Sequence, residues 1–296
     1  MNFESIHIEE LVLIKKLQII RTPFLDYLLK GVTLFDEQPL LLFMGIGFIY
    51  GVDRTLGLRF LALLLLSGIV NALLKSFFEE PRPCWLDPSL QVFSCPKNNG
   101  FPSGAAQSAV IVPGLIIMYR NCLSSWILGV LFAVLLSFSR IYLGVHFFTD
   151  LIGGWLIGFG LLFAASQFSK IESFLKKLSK ETQLLIAFLM AFLPLLFVSN
   201  QNTLNWTFLA SGLAFGLVFN KRHIETSWKL GMLSIFISMA LGFFLIEFFK
   251  QKSILTQSVH FMFGFFILMG LPNLLLLFKS LQAKLKEDYI EISDKR

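Results

Sequence analysis

The sequence has little charge, and this scarcity excludes an ordinary soluble domain. Only 15% of its 296 residues are charged, whereas 55% are hydrophobic and phenylalanine alone occupies 34 positions. A typical soluble domain carries about 25% charged residues. Several segments stay apolar around the whole helix for about 17 to 23 residues, which is the length that crosses a bilayer. The sequence therefore predicts an all-α integral membrane protein.

Histidine and cysteine are also scarce, with four and three residues. No group of His, Asp and Cys resembles a metal site, so we expect neither a metal nor another cofactor. Cys84 and Cys95 flank a short polar loop, and they would form a disulfide if that loop faces an oxidising compartment. The alternative is a pair of free thiols.

The apolar segments predict about nine transmembrane helices that follow an amphipathic N-terminal segment. Charges recur too often in residues 1–36 for a span, so we expect one amphipathic helix there that lies in the membrane interface. We also expect His7, within this segment, to be solvated. The predicted spans cover residues 38–52, 58–78, 104–119, 123–143, 146–168, 183–199, 203–219, 228–249 and 254–278.

Lysine and arginine are unevenly distributed between the two ends of the spans. Much of the basic excess behind the net charge of +6 lies in short loops. This indicates a topology signal rather than nucleic-acid binding. The end that includes the linker after residue 168 is richer in these residues and should be cytoplasmic. The opposite end should then face the periplasm, the cell exterior or a lumen.

Three polar clusters interrupt the apolar sequence at that outward end. They are Lys75 with Arg82-Pro83, then Pro102-Ser103-Gly104, then Ser139-Arg140 with His146 and Asp150. His146 and Asp150 are four positions apart, so we expect both side chains on one face of the fifth span. A carboxylate there can hold the imidazole in one tautomer and leave its other nitrogen as a nucleophile or base.

The cations of these clusters suit a phosphate. Arg82, Arg140 and Lys75 supply two guanidinium groups and an ammonium, with which proteins hold tetrahedral anions. Ser103 and Gly104 open a helix whose free N–H groups also favour phosphate oxygens. Taken singly, these residues could be interfacial cations, a helix-capping serine and a His–Asp pair that only packs. Taken together, they predict a lipid phosphate site.

The order and spacing of the three clusters resemble the signature of the type 2 phosphatidic acid phosphatase superfamily. The resemblance covers residues 38–168, and the later spans look only loosely like the long-tailed members, which include sphingosine phosphate phosphatases and bacterial relatives. It implies a membrane lipid phosphate phosphatase in which His146 takes the phosphoryl group as a phosphohistidine and Asp150 orients the imidazole. The phosphate ligands that it implies are Lys75, Arg82, Ser103, Gly104 and Arg140.

The sequence departs from the family pattern at Ala105, where the family has a histidine that protonates the leaving alkoxide. General acid catalysis is typically worth 10²–10⁴-fold, so hydrolysis of an alkyl phosphate should be impaired. Three explanations stay open. The chain is an engineered inactive form, which we favour because the remaining signature is intact; or it is a natural protein that only binds or transports lipid phosphates; or it cleaves diphosphates, such as polyprenyl diphosphates, whose leaving group is already good.

The sequence also suggests how the chain is divided. Gly212 and Gly216 should let the seventh span approach a neighbour closely, and a homodimer is one way in which such a pair is used. We expect an interfacial segment at 1–36, a phosphatase core with five spans at 37–168, a basic cytoplasmic linker at 169–182, four additional spans at 183–279 and a cytoplasmic tail at 280–296.

Overall fold

A computed structural model describes residues 3–192, 201–219, 226–249, 260–277 and 279–281 of the chain. Within these ranges the regular elements are all helical, as predicted. The helices are α1 Phe3–Leu17, α2 Pro23–Thr33, α3 Gln38–Gly51, α4 Arg54–Phe78, α5 Pro83–Leu86, α6 Gly104–Tyr119, α7 Leu123–Tyr142, α8 Phe148–Ala165, α9 Phe168–Leu175, α10 Lys180–Phe192, α11 Gln201–Phe219, α12 Trp228–Phe249 and α13 His260–Leu281.

The structure does not confirm the predicted count of nine spans. Within the described ranges, four helices are long and apolar enough to cross a membrane, and α2 with α3, bent by 54°, would make a fifth. The four are Arg54–Leu86, α7, α8 and α13. Helix α6 is apolar but has only 16 residues, which is short for a span. The predicted spans 183–199 and 254–278 extend into residues outside the described ranges.

The chain divides into two compact units. The first comprises Met1–Leu42 and Leu58–Phe174, and the second comprises Phe43–Gly57 and Leu175–Arg296. All three polar clusters lie in the first unit. The division after Phe174 falls inside the predicted basic linker at 169–182.

In the first unit, α6 packs against both α7 and α8. Glycines on α8 make the close approach possible: a Cβ at Gly154 would lie 2.5 Å from the Ser103 carbonyl oxygen, and one at Gly158 would lie 2.9 Å from Val110 Cβ. Small residues at a helix contact let two backbones come together in this way. The contact fixes the start of α6 beside the start of α8.

Residues 1–36 form two helices rather than the single helix that we predicted. Thr22 caps α2 with its side chain, and Pro23 occupies the first helical position, where it interrupts the helical run. Helix α1 buries Ile14 completely, in a core cluster that also holds Phe147. The prediction that His7 is solvated is wrong, because its ring is 4% exposed and stacks on Phe147 with 4.1 Å between centroids.

In the second unit, α11 approaches α13 closely along the two predicted glycines. A Cβ at Gly212 would lie 2.0 Å from the Phe261 carbonyl oxygen, and one at Gly216 would lie 2.8 Å from Leu268 Cβ. The neighbour of this small-residue face is therefore a helix of the same chain.

Candidate active site

The predicted His–Asp pair forms at the start of α8. His146 Nδ1 lies 2.9 Å from Asp150 Oδ2, and the Phe147 backbone N–H donates to the same oxygen over 3.0 Å. Helix α8 begins at Phe148, so His146 lies in the preceding loop and not on the helix as we predicted. Because the carboxylate accepts the Nδ1 proton, Nε2 keeps its lone pair.

The other imidazole nitrogen faces a cation. Arg82 Nη1 lies 3.1 Å from His146 Nε2, and the imidazole is only 6% exposed. The pKa of His146 lies well below its usual value, because burial disfavours the imidazolium and because Arg82, Lys75 and Arg140 add positive charge around it. The imidazole is therefore neutral at neutral pH, which is the state that a nucleophile requires.

A glycine turn between α7 and α8 brings His146 to Arg82. Gly144 has a φ of +69°, a region that favours glycine, and a Cβ there would lie 2.3 Å from the Leu90 carbonyl oxygen. The next carbonyl along the turn, that of Val145, accepts a hydrogen bond from Arg82 Nη1 over 2.7 Å. The turn ends α7 at Tyr142, and the chain therefore returns toward Arg82 before α8 begins.

Arg82 is held by residues that the sequence analysis missed. Asn98 accepts from Arg82 Nε at its carbonyl oxygen over 2.6 Å and from Nη2 at Oδ1 over 2.8 Å, and the Asn99 carbonyl accepts from Nη2 over 3.1 Å. Cys84 and Cys95 form a disulfide, with 6.1 Å between Cα atoms, in the loop that carries these asparagines. The sequence signal that could have indicated this role is the pair of adjacent asparagines in the loop between the first two polar clusters.

Lys75 approaches the same loop from α4. Lys75 is 9% exposed, and its ammonium donates to the carbonyl oxygens of Asn99 and Gly100, the latter over 2.8 Å. In return, Asn99 Nδ2 donates to the Lys75 carbonyl oxygen over 2.9 Å. Lys75 therefore joins the end of α4 to the loop that carries the Arg82 anchors.

Ser103 is placed behind the site and does not line its cavity. It is fully buried, its Oγ accepts from the Ala106 N–H over 3.3 Å, and its own N–H donates to the Asp150 carbonyl oxygen over 3.0 Å. These bonds cap α6 and join it to α8. Gly104 and Ala105, by contrast, both line the cavity. The predicted role of Ser103 as a phosphate ligand stays a prediction.

Arg140, at the end of α7, is paired with a carboxylate that the sequence analysis did not single out. Its Nη2 donates to Asp36 Oδ2 over 3.1 Å, and the two side chains are 15% and 20% exposed. Arg140 Nε is buried and has no hydrogen-bond partner within the described ranges. Asp36 ends the N-terminal segment that we had assigned to the membrane interface.

One cavity of about 500 Å³ collects these groups. Its volume lies within the range of small-molecule sites. Within the part of the chain that the structure describes, no group of His, Cys, Asp and Glu could hold a metal ion. The polar or signature residues that line the cavity are Lys30, Thr33, Asp36, Glu37, Gln38, Asn71, Lys75, Arg82, Ser94, Asn98, Gly104, Ala105, Arg140 and His146.

Comparisons with known proteins show the family to which this chain belongs. The family model of the PAP2 superfamily matches residues 56–174, which contain all three clusters. The chain is 30% identical over 173 residues to phosphatidylglycerophosphatase B of Bacillus subtilis (strain 168). The matched region covers 54% of this chain and 83% of that protein. The chain belongs to the PAP2 superfamily. The resemblance drawn from the sequence is thereby confirmed, and the chain is an all-α multi-pass membrane protein of this family.

Two further proteins are similar to the chain. An undecaprenyl-diphosphatase of Sulfolobus acidocaldarius is 29% identical over 136 residues, which cover 43% of this chain and 65% of the relative. A crystal structure of a transmembrane PAP2-type phosphatidylglycerolphosphate phosphatase from Bacillus subtilis is 28% identical, with a TM-score of 0.49, over 57% of this chain and 88% of that one.

Proposed function

We propose that this PAP2 protein hydrolyses the phosphate of a membrane lipid through a phosphohistidine at His146. The observation that carries the proposal is the buried His146–Asp150 pair, whose unprotonated Nε2 faces Arg82 inside a cavity lined by three further cations, Lys30, Lys75 and Arg140. A site that only binds phosphate needs the cations but not an oriented, neutral imidazole. The names of the two curated relatives, both lipid phosphatases, support the same reaction class.

In the proposed reaction, His146 Nε2 attacks phosphorus and the bond to the leaving oxygen breaks. The imidazole becomes positively charged, and Asp150, which holds Nδ1–H, stabilises that charge. Arg82, Arg140 and Lys75 neutralise the negative charge on the phosphoryl oxygens, which is the main contribution of a protein to phosphoryl transfer. Water then attacks the phosphohistidine and releases inorganic phosphate.

Arg82 has to change one hydrogen bond for this reaction. Its Nη1 now points at Nε2, the atom that must attack phosphorus. A bound phosphoryl group would take that donor, while the bonds to Asn98 would keep the guanidinium in place. The asparagine anchor thus allows the exchange without movement of the side chain.

A lipid diphosphate is the second candidate substrate, and Ala105 favours it. A phosphate leaving group departs without protonation, so an alanine at this position costs less with a diphosphate than with an alkyl phosphate. Lys30, a further cation on the cavity lining, could meet the second phosphate. The name of the Sulfolobus relative supports this alternative.

We place the site on the outward face of the membrane. The unequal distribution of Lys and Arg supports this orientation. The Cys84–Cys95 disulfide in the loop of the site supports it too, since disulfides persist in oxidising compartments. The division into a core at 37–168 and four further spans at 183–279, and a homodimer, stay predictions.

The test is phosphate release in detergent micelles from phosphatidic acid and farnesyl diphosphate, by the unmodified chain and by His146→Ala. We expect release from at least one substrate by the unmodified chain and a loss of about 10³-fold or more in the variant, because the nucleophile is gone. Tight binding of both lipids without release would favour the binding or transport alternative. Equal release by the two proteins would contradict the proposal.

A further inference from the structure

Hydrolysis of an alkyl phosphate needs a proton for the leaving oxygen, and Ala105 cannot supply one. Within the cavity, His146 is the proposed nucleophile, and its Nδ1 proton is held by Asp150. Lys75 is occupied by two backbone carbonyls, and arginine does not deprotonate in proteins. Three other groups on the lining can carry a proton. They are the ammonium of Lys30 and the carboxyls of Asp36 and Glu37.

Asp36 has the better position of the two carboxyls. The turn Leu34–Asp36 contacts α6, and the Ser108 hydroxyl lies beside the Asp36 carboxyl. Ser108 follows Ala105 by three positions on α6, so both lie on the same helix face. The carboxyl is also bonded to Arg140, whereas Glu37 is exposed. Asp36 therefore lies between the face of α6 that carries Ala105 and a cation of the phosphate site.

We infer that Asp36 is the proton donor to the leaving oxygen, in place of a side chain at position 105. The inference rests on the proposed function and extends it. It assigns a chemical role to the N-terminal segment, since Asp36 precedes the range 56–174 that matches the family model.

The proton balance closes with Asp36 as the carrier. A lipid phosphate that binds as the monoanion gives its proton to the Asp36 carboxylate, since the bound phosphate shares Arg140 and places negative charge beside the carboxyl. When His146 Nε2 bonds to phosphorus, the P–O bond breaks, and the leaving oxygen takes the electron pair and the Asp36 proton. Water then attacks phosphorus, and the P–N pair returns to Nε2. The proton that water loses passes through Asp36 to the departing phosphate, which leaves as the monoanion and restores the Asp36 carboxylate.

A purely positioning role for Asp36 makes a different prediction. If the carboxylate only orients Arg140, its removal weakens phosphate binding equally for every leaving group. If it donates a proton, its removal matters for an alkoxide, which leaves poorly unless protonated, and hardly matters for nitrophenolate, which leaves as the anion. The dependence on the leaving group therefore separates the two roles.

The experiment compares phosphatidic acid with p-nitrophenyl phosphate, using the full chain in detergent. For Asp36→Asn we expect kcat on phosphatidic acid to fall by about 10²–10⁴-fold, and kcat on the nitrophenyl ester to fall by less than about tenfold. The nitrophenyl activity also shows that the variant folds. Glu37→Gln, the matched neighbouring carboxyl, should have a much smaller effect on phosphatidic acid. Ala105→His added to Asp36→Asn should restore part of the lost activity.

Each contrary result has a distinct meaning. An equal fall on both substrates, or no fall, overturns the role of Asp36 and leaves the proposed function intact. If activity on phosphatidic acid appears only after Ala105→His, the role of Asp36 as proton donor is overturned as well. No activity of the unmodified chain on any substrate overturns the proposed function itself. A steep rise of kcat with leaving-group acidity in the unmodified chain, which needs no variant, would also contradict proton donation.

Discussion

At the scale of single residues, the proposed chemistry depends on keeping one imidazole neutral among three cations. Burial and positive charge lower the pKa of His146, and Asp150 fixes the tautomer that leaves Nε2 free. His146, Asp150 and the three cations all belong to the signature, so the sequence already predicted the pair. The direct contact of Arg82 with Nε2 was not predicted, because it joins residues that lie 64 positions apart in the sequence.

The lowered pKa of His146 makes a prediction about pH. An ordinary histidine titrates near 6.5. His146 should instead stay neutral well below that pH, and the loss of activity caused by protonation of the nucleophile should also lie below it. Imidazole NMR signals of ¹⁵N-labelled protein in detergent, assigned by their absence in His146→Ala, test this. A His146 signal that titrates near 6.5 would show that the cations and the burial do not act as described.

At the scale of helices, the start of α8 is fixed by a helix far away in sequence. Glu10 of α1 accepts from the Thr149 N–H over 2.8 Å and from Thr149 Oγ1 over 3.1 Å, across 139 positions. A carboxylate at a helix N-terminus satisfies free N–H groups and complements the helix dipole. Helix α1 thus supports the turn that carries Asp150, although its sequence indicated only an interfacial helix.

Removal of the Glu10 carboxylate should loosen the N-terminal end of α8, which carries Asp150. Glu10→Ala leaves the Thr149 N–H without its acceptor, and we expect a loss of about 1–2 kcal/mol, as for other N-terminal capping groups. The thermal unfolding midpoint in detergent should fall, together with kcat. Glu9→Ala, the exposed neighbour on the same helix, is the matched control and should change neither. Equal midpoints for the two variants would show that Glu10 does not hold α8.

The bounds of several helices were predictable, and their long-range contacts were not. The predicted spans 58–78, 104–119 and 123–143 end within one residue of helices α4, α6 and α7, because prolines, polar loops and the Ser103 cap limit those helices. The division of residues 1–36 at Thr22-Pro23 was missed, because charge density suggested an interfacial helix. Asp36 was missed because its partner, Arg140, lies 104 positions away.

At the scale of the whole molecule, the family and the helical membrane class follow from the three clusters and from hydropathy. Both are confirmed, by a relative matched over 83% of its length and by the helical elements. The number of spans was harder to predict. Hydropathy alone does not distinguish a short apolar helix such as α6, or a broken pair such as α2 with α3, from a helix that crosses the whole membrane. Every residue that lines the cavity lies in the first unit.

The most direct measurement for the central claim is to trap the phosphoenzyme. The purified chain would be mixed with ³²P-labelled phosphatidic acid or diphosphate, stopped within milliseconds in base, where phosphohistidine survives, and digested for mass spectrometry. The account predicts one labelled histidine, His146, and no label in His146→Ala. Rapid phosphate release without any label on His146, or a label on another residue, would contradict it.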